Sequence, residues 1–165
     1  MTSSLEMQIG SLLHSRKWKL ALAESCTGGL VANRITDVPG SSGYFLGSVI
    51  AYAYEAKVNL LGVSWDTLNS TGAVSKETVI EMARGARKVL NADVAVSVSG
   101  IAGPGGGSDE KPVGTTWIGL AVTAGEWARV FQFSGDRLQN KDQAAEAALQ
   151  VLLDYLQDLD IERPE

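Results

Sequence analysis

The sequence has little of what disulfide frameworks, metal sites and histidine-based hydrolases are made from: one cysteine, Cys26, and one histidine, His14, in 165 residues. A lone cysteine cannot close an internal disulfide, which fits a reducing compartment. One histidine, one cysteine and scattered carboxylates form no ligand set at metal-binding spacing, so neither a catalytic metal nor another cofactor is expected. His14 falls near the polar boundary of a helical apolar face, where an ordinary surface or half-buried residue is the default, and a Ser-His-Asp arrangement is not expected. Long basic runs are missing too, and the net charge is −5. This argues against polymeric nucleic acid as a partner but leaves room for a local basic pocket that takes one phosphate. No apolar stretch approaches the roughly 20 residues of a membrane span. The N-terminus, "MTSSLEMQIGSLLHSRKWKL", lacks the basic start, apolar middle and small-residue cleavage site of a secretory signal. The expectation is a cytoplasmic protein with no membrane partner.

What is present suffices for one core. An apolar fraction of 45% with 20% charged residues is ordinary for a globular chain, and a single domain over residues 1–165 can bury roughly 70% of its unfolded surface without staples. Leu5, Ile9, Leu12 and Leu13 follow helical spacing, and Lys19 to Ala23 turn into an apolar strand that runs up to Glu24. Thr27 is a possible cap for a helix carrying Leu30, Val31, Ile35 and Val38, which "PGSSG" stops. "GSVIAYA" (47–53) reads as a strand and "EAKVNLLG" as a short helix ending at Gly62. A helix from about Lys76 to Leu90 leads into the valine-rich strand "DVAVSVSG". "TTWIGLAV" and "WARVFQF", joined by "TAGE", predict a hairpin, and a last helix runs from about Leu138 to Leu156. The order predicts a mixed sheet with helices on both faces, and ligands in such sheets collect where strands end and helices begin.

Ser25 sits at such a place, on a strand-to-helix turn whose helix N-terminus can stabilise an oxyanion or a phosphate. A serine there also serves as a plain helix cap, and Cys26 beside it is a rival nucleophile or a small buried neighbour. With histidine excluded, the remaining candidate bases are lysines, and a lysine serves only if burial or nearby positive charge lowers its pKa. Lys57 begins a short helix after a strand carrying Tyr52 and Tyr54, whose rings can desolvate an ammonium and whose hydroxyls can relay a proton. The alternative is a solvated Lys57 on an exposed helix face. "SGIAGPGGGSDEKPVG" is either a ligand-cradling loop, with backbone N–H groups brought close by glycine, or a surface excursion.

Taken together, "AESCTGG", "PGSSGYFLGSVIAYAYEAKVNLLGV", "GAVSKE", "VSGIAGPGGGSDEKPVGTTW" and "FSGDR" resemble the CinA C-terminal domain family, the nicotinamide-nucleotide amidases, over about residues 5–155. The resemblance implies a three-layer α/β/α fold whose mixed, mostly parallel sheet contains an antiparallel hairpin. It implies hydrolysis of nicotinamide mononucleotide to nicotinic acid mononucleotide and ammonia by a Ser-Lys pair with an assisting tyrosine. By motif these are Ser25, Lys57 and Tyr52. Substrate contacts are implied for Thr27 and Gly28, for Ser42 in "PGSSG", and for Ser99, Gly100, Ala102 and Gly103 in the glycine-rich segment. Further contacts are implied for Tyr54, Arg137 and Lys141. Two positions depart from the family pattern: Tyr54 stands where "Y-x-N-x-x-K" has asparagine, and Lys141 where arginine is common. Longer members carry a molybdopterin-binding-like N-terminal domain whose motifs do not appear here, so a stand-alone amidase is expected, dimeric by analogy. A nucleotide sensor without turnover and a serine amidase for another carboxamide are the competing readings.

Overall fold

The computed structural model describes residues 3–159. The chain runs α1 (Leu5–Arg16), β1 (Leu20–Glu24), α2 (Leu30–Thr36), a 3-10 turn (Ser41–Gly43), β2 (Phe45–Ile50), α3 (Tyr54–Leu61), α4 (Trp65–Thr71) and α5 (Lys76–Leu90). It continues through β3 (Val94–Gly100), β4 (Thr115–Val122), β5 (Gly125–Gln132) and α6 (Arg137–Leu156). The five strands form one sheet in the order β2-β1-β3-β4-β5. β1 pairs in parallel with β2 and β3, while β3-β4 and β4-β5 are antiparallel. The sheet is mixed as expected, but parallel and antiparallel pairings share it equally rather than the parallel kind prevailing.

Alternation along the strands builds two unlike faces. Leu20 and Leu22, Val94, Val96 and Val98, and Ile118 and Leu120 point into the larger core with α1, α2 and α6. The opposite face offers small residues, Ala21, Ala23 and Ala95, to Met82 and Ala86 of α5 and to Leu61 and Leu68 of α3 and α4. This makes the three-layer α/β/α fold that the resemblance implies. Small residues let α5 lie almost on the backbone of the sheet: a Cβ at Gly119 would overlap the Val79 carbonyl, to which the Ser97 hydroxyl donates.

Most expected elements form within a few residues of their predicted bounds, and the departures have local causes. β2 lies at Phe45–Ile50 rather than 47–53, because the carbonyls of Ala51 and Tyr52 leave the ladder to accept hydrogen bonds from Lys57. α4 was not foreseen: "WDTLNST" is polar, buries only Leu68, and forms behind Ser64, whose hydroxyl accepts from the N–H groups of Asp66 and Thr67. Thr27 is not the cap of α2; Gly29 occupies that position with φ 104°, and the Thr27 hydroxyl donates to Glu24 instead. α6 begins at Arg137 behind a capping box of Asp136 and Gln139.

The contact between α3 and α5 depends on one missing side chain. A Cβ at Gly85 would overlap the backbone carbonyl of Leu61 at the end of α3. Gly85→Ala is expected to cost about 1–3 kcal/mol, as overpacking against rigid backbone does, and to lower the urea midpoint at unchanged slope. An unaltered midpoint would show that α3 moves aside freely.

Candidate active site

Ser25 follows the last residue of β1, and its backbone is fixed on both sides. Its N–H donates to the Val98 carbonyl of β3 at 3.0 Å, and its carbonyl accepts from the Gly28 N–H at 3.1 Å. The next link is Lys57, which projects from α3 and is 1% exposed. Its Nζ donates to Ser25 Oγ at 3.0 Å, to the Ala51 carbonyl at 2.9 Å and to the Tyr52 carbonyl at 3.0 Å. Three acceptors match the three N–H bonds of an ammonium. A neutral amine keeps two donors for the carbonyls and turns its lone pair to Ser25 Oγ. Burial lowers the Lys57 pKa to about 8, against a smaller opposing pull from Cys26. The arrangement can therefore take a proton from the serine hydroxyl and return it.

Cys26 is differently placed. It is buried, and desolvation pushes its thiol up to about 11, so little thiolate forms near neutral pH. Its Sγ lies against Gly100, where a Cβ would stand 3.2 Å away.

Neither tyrosine hydroxyl is among the hydrogen-bond partners of the lysine. Tyr52 is 61% exposed, and its hydroxyl accepts from Arg137 Nη2 at 3.1 Å; what reaches Lys57 is the Tyr52 carbonyl. The ring of Tyr54 lies beside Trp65, with centroids 6.4 Å apart. Backbone carbonyls, rather than aromatic hydroxyls, hold the amine.

The glycine-rich segment is tied down at its base and farther out. Asn140 Nδ2 donates to the Ala102 carbonyl at 3.0 Å, Arg137 Nη1 to the Gly103 carbonyl at 2.6 Å, and Lys111 Nζ to the Thr71 carbonyl at the end of α4 at 2.6 Å. Arg137 thus joins Tyr52, on the connection that leads to Lys57, to the segment after β3. Lys141 lies one helical turn farther along α6 and is half-buried. Ser99 and Gly100 end β3 opposite Trp117 and Thr116, and Gly28 is exposed in the turn after Ser25. Ser42 is not brought to this group. It lies in the 3-10 turn before β2, where the Leu20 N–H donates to the Tyr44 carbonyl at the start of β1. The length of β1, about 16 Å at about 3.3 Å per residue, separates that end of the sheet from Ser25.

Glu24 is the residue that sequence reasoning missed. It is 1% exposed, and five donors converge on its carboxylate: the Thr27 hydroxyl, the Gly29, Val31 and Ala32 N–H groups, and the Ser48 hydroxyl of β2. With the Leu30 N–H donating to the Thr27 carbonyl, the first N–H groups of α2 are all engaged, so that helix end is not open to an oxyanion or phosphate as expected from the turn alone. The available signal was a charge closing the apolar run "LALAE" just before a glycine turn. Among the described residues no group of three or more His, Cys, Asp or Glu side chains is placed to hold a metal ion, and no helix is long and apolar enough to cross a membrane.

The CinA C-terminal domain model matches residues 2–156. The chain is 50% identical over 156 residues to a CinA-like protein of Chloroherpeton thalassium, covering 92% of this chain and 37% of that protein. It is 52% identical over 153 residues to the nicotinamide-nucleotide amidohydrolase PncC of Enterobacter agglomerans, covering 90% of this chain and 92% of that one. The crystal structure of competence damage-inducible protein A from Klebsiella pneumoniae superimposes with a TM-score of 0.90 at 34% identity, covering 94% of this chain and 97% of that one. The chain spans little more than a third of the length of the first curated relatives it matches.

The lowered pKa of Lys57 links folding to pH. Its folded value, about 8, lies below the ordinary 10.5, so between these values the unfolded chain binds more protons and stability rises with pH. Denaturation midpoints of the native protein are expected to gain over that window relative to Lys57→Met, which has no such group. Parallel curves for the two proteins would mean that Lys57 titrates normally.

Proposed function

The chain belongs to the CinA C-terminal domain family, and from that premise we propose that it hydrolyses the carboxamide of nicotinamide mononucleotide to the carboxylate and ammonia, with Ser25 as nucleophile and Lys57 as base. The observation that carries the reading is the 3.0 Å contact between Lys57 Nζ and Ser25 Oγ at a buried lysine whose pKa is lowered to about 8.

The neutral Lys57 amine takes the Ser25 proton as Oγ bonds to the carboxamide carbon. The tetrahedral intermediate carries its negative charge on the former carbonyl oxygen. With the Gly29, Val31 and Ala32 N–H groups held by Glu24, stabilisation of that charge is assigned to backbone N–H groups beside Ser25 or in the Gly100 to Gly103 loop; a donor of this kind is worth about 3 kcal/mol of barrier. The C–N bond then breaks as the Lys57 ammonium protonates the departing nitrogen, releasing ammonia and leaving an ester on Ser25. Water, deprotonated by the regenerated amine, attacks the ester, and collapse of the second intermediate frees the acid and restores the hydroxyl. The Cys26 side chain takes no part, since burial keeps its thiol protonated.

Arg137 and Lys141, a turn apart on α6, are the cations assigned to the substrate phosphate, Arg137 by exchanging its bond to Tyr52 for one to the ligand. Tyr52 then assists by holding Lys57 through its carbonyl and by releasing Arg137 from its hydroxyl. Thr27, Gly28, Ser99, Gly100, Ala102 and Gly103 are assigned as substrate contacts on the family resemblance alone. The reading makes the chain one catalytic domain that acts in the cytoplasm as a homodimer. A second reading, an amidase for another carboxamide, is favoured by Tyr54, which places an aromatic pair with Trp65 where the family pattern has asparagine.

Ammonia release from nicotinamide mononucleotide is expected from the native protein and from Cys26→Ala. Ser25→Ala and Lys57→Met are expected to lose about a thousand-fold or more while remaining folded. Activity that survives Ser25→Ala but not Cys26→Ala would move the nucleophile by one residue. Because the base acts as the neutral amine, kcat/KM is expected to fall about ten-fold per pH unit below about 8 and to level off above it. A flat profile between pH 6 and 8 would remove Lys57 as the base. Tyr54→Asn is expected to raise kcat/KM for this nucleotide; a fall, with a better rate on another carboxamide in a substrate panel, would favour the second reading.

A further inference from the structure

We propose that Glu24 is a positioning residue that sets the contact between Ser25 Oγ and Lys57 Nζ, by tying the turn after Ser25 to the strand β2 that leads to the acceptors of Lys57. The proposal rests on the Ser25-Lys57 reading above.

Glu24 Oε1 accepts from the Thr27 hydroxyl at 2.8 Å, the Gly29 N–H at 3.2 Å and the Val31 N–H at 2.9 Å. Oε2 accepts from the Ala32 N–H at 3.2 Å and from Ser48 Oγ at 2.7 Å. The backbone carbonyl of the same residue accepts from the Ala51 N–H at 2.9 Å, and the Ala51 carbonyl accepts from Lys57 Nζ at 2.9 Å. One buried residue thus grips the segment that follows the nucleophile and the segment that holds the base. Capping α2 accounts for the Gly29, Val31 and Ala32 contacts. It does not account for the bond from Ser48, which comes from a different strand and runs across the sheet to the turn. All five side-chain partners are neutral donors, so the carboxylate is held by hydrogen bonds alone. Glu24→Gln keeps the shape but sets an NH2 group against donors, leaving at least one of them unpaired and loosening the turn against β2. A looser pair admits water to Lys57, which relieves the desolvation that lowers its pKa. The Cys26 thiol beside Lys57 stays protonated near pH 8 and does not obscure the reading; the anion lost in Glu24→Gln would by itself lower the Lys57 pKa, so an upward movement cannot come from the lost charge.

The experiment titrates Lys57 Nζ by NMR in lysine-labelled protein and measures kcat and KM for nicotinamide mononucleotide, in the native protein and in Glu24→Gln. The expected result is a Lys57 titration moved upward from about 8, with kcat at pH 9 reduced about ten-fold or more and KM within about two-fold. A folded Glu24→Gln with native kcat and native Lys57 titration overturns the proposal, because a purely structural cap would leave both unmoved. Should Glu24→Gln fail to fold, Ser48→Ala removes only the link to β2. A loss of kcat of about three-fold or more, restored in Ser48→Thr, supports the proposal, and an unchanged Ser48→Ala overturns it. Native protein that releases no ammonia would sink the amidase reading alone, since the Lys57 titrations of the folded variants still decide the role of Glu24.

Discussion

The constraint on which this molecule turns is the burial of one amine. Lys57 is almost wholly removed from water, and a buried ammonium is tolerated only where acceptors replace its hydration. The fold supplies them by ending β2 at Ile50, so that the carbonyls of Ala51 and Tyr52 point at Nζ instead of at a neighbouring strand. The third acceptor is the Ser25 hydroxyl, and because burial still lowers the pKa of the amine to about 8, its neutral form is accessible near physiological pH. Stability is given up locally to keep the amine there, a cost that perturbed groups at functional sites commonly carry.

The two faces of the sheet serve this arrangement differently. The face toward α1, α2 and α6 carries leucine, valine and isoleucine and supplies most of the apolar burial. The face toward α5 carries alanine, serine and glycine, so α5 and the α3 helix leaning on it come close to the strands. Lys57 is carried on α3, and that close approach lets a side chain from this layer reach across the C-terminal ends of β1 and β2 to Ser25. A bulkier set of residues on this face would hold α3 too far out.

Much of this was legible in the sequence, because strand and helix periodicity report burial directly. The runs "LALAE", "VAVSVSG" and "TTWIGLAV" and the apolar face of α5 all appear near their expected bounds, and the turn placed Ser25 at the end of a strand. What stayed hidden depends on contacts remote in the chain. Nothing local distinguishes a glutamate that caps a helix from within the core from one that faces water, and Glu24 was passed over. The exposure of Tyr52, the pairing of Tyr54 with Trp65, and the seat of Ser42 at the far end of the sheet are likewise set by packing and not by neighbours in sequence. α4 is not legible because its polar residues show almost no apolar period, and the contacts that hold it, between Thr67 and Glu81 and between Thr71 and Lys111, are remote in the chain.

The glycine-rich segment after β3 is fastened in an unusual sense: Arg137 and Asn140 grip it by the backbone carbonyls of Gly103 and Ala102, and its own Lys111 reaches out to the carbonyl of Thr71. Anchors of this kind are indifferent to the side chains at the exposed positions 105, 109 and 110, since every residue offers the same carbonyl, whereas Gly106, at φ 87°, and Gly107, where a Cβ would stand 2.7 Å from the Val113 nitrogen, keep the turn itself to glycine. Those exposed positions can therefore change while the path of the segment over the fold is kept, which gives the scaffold a place to alter what the loop presents to solvent without disturbing the contact between Ser25 and Lys57.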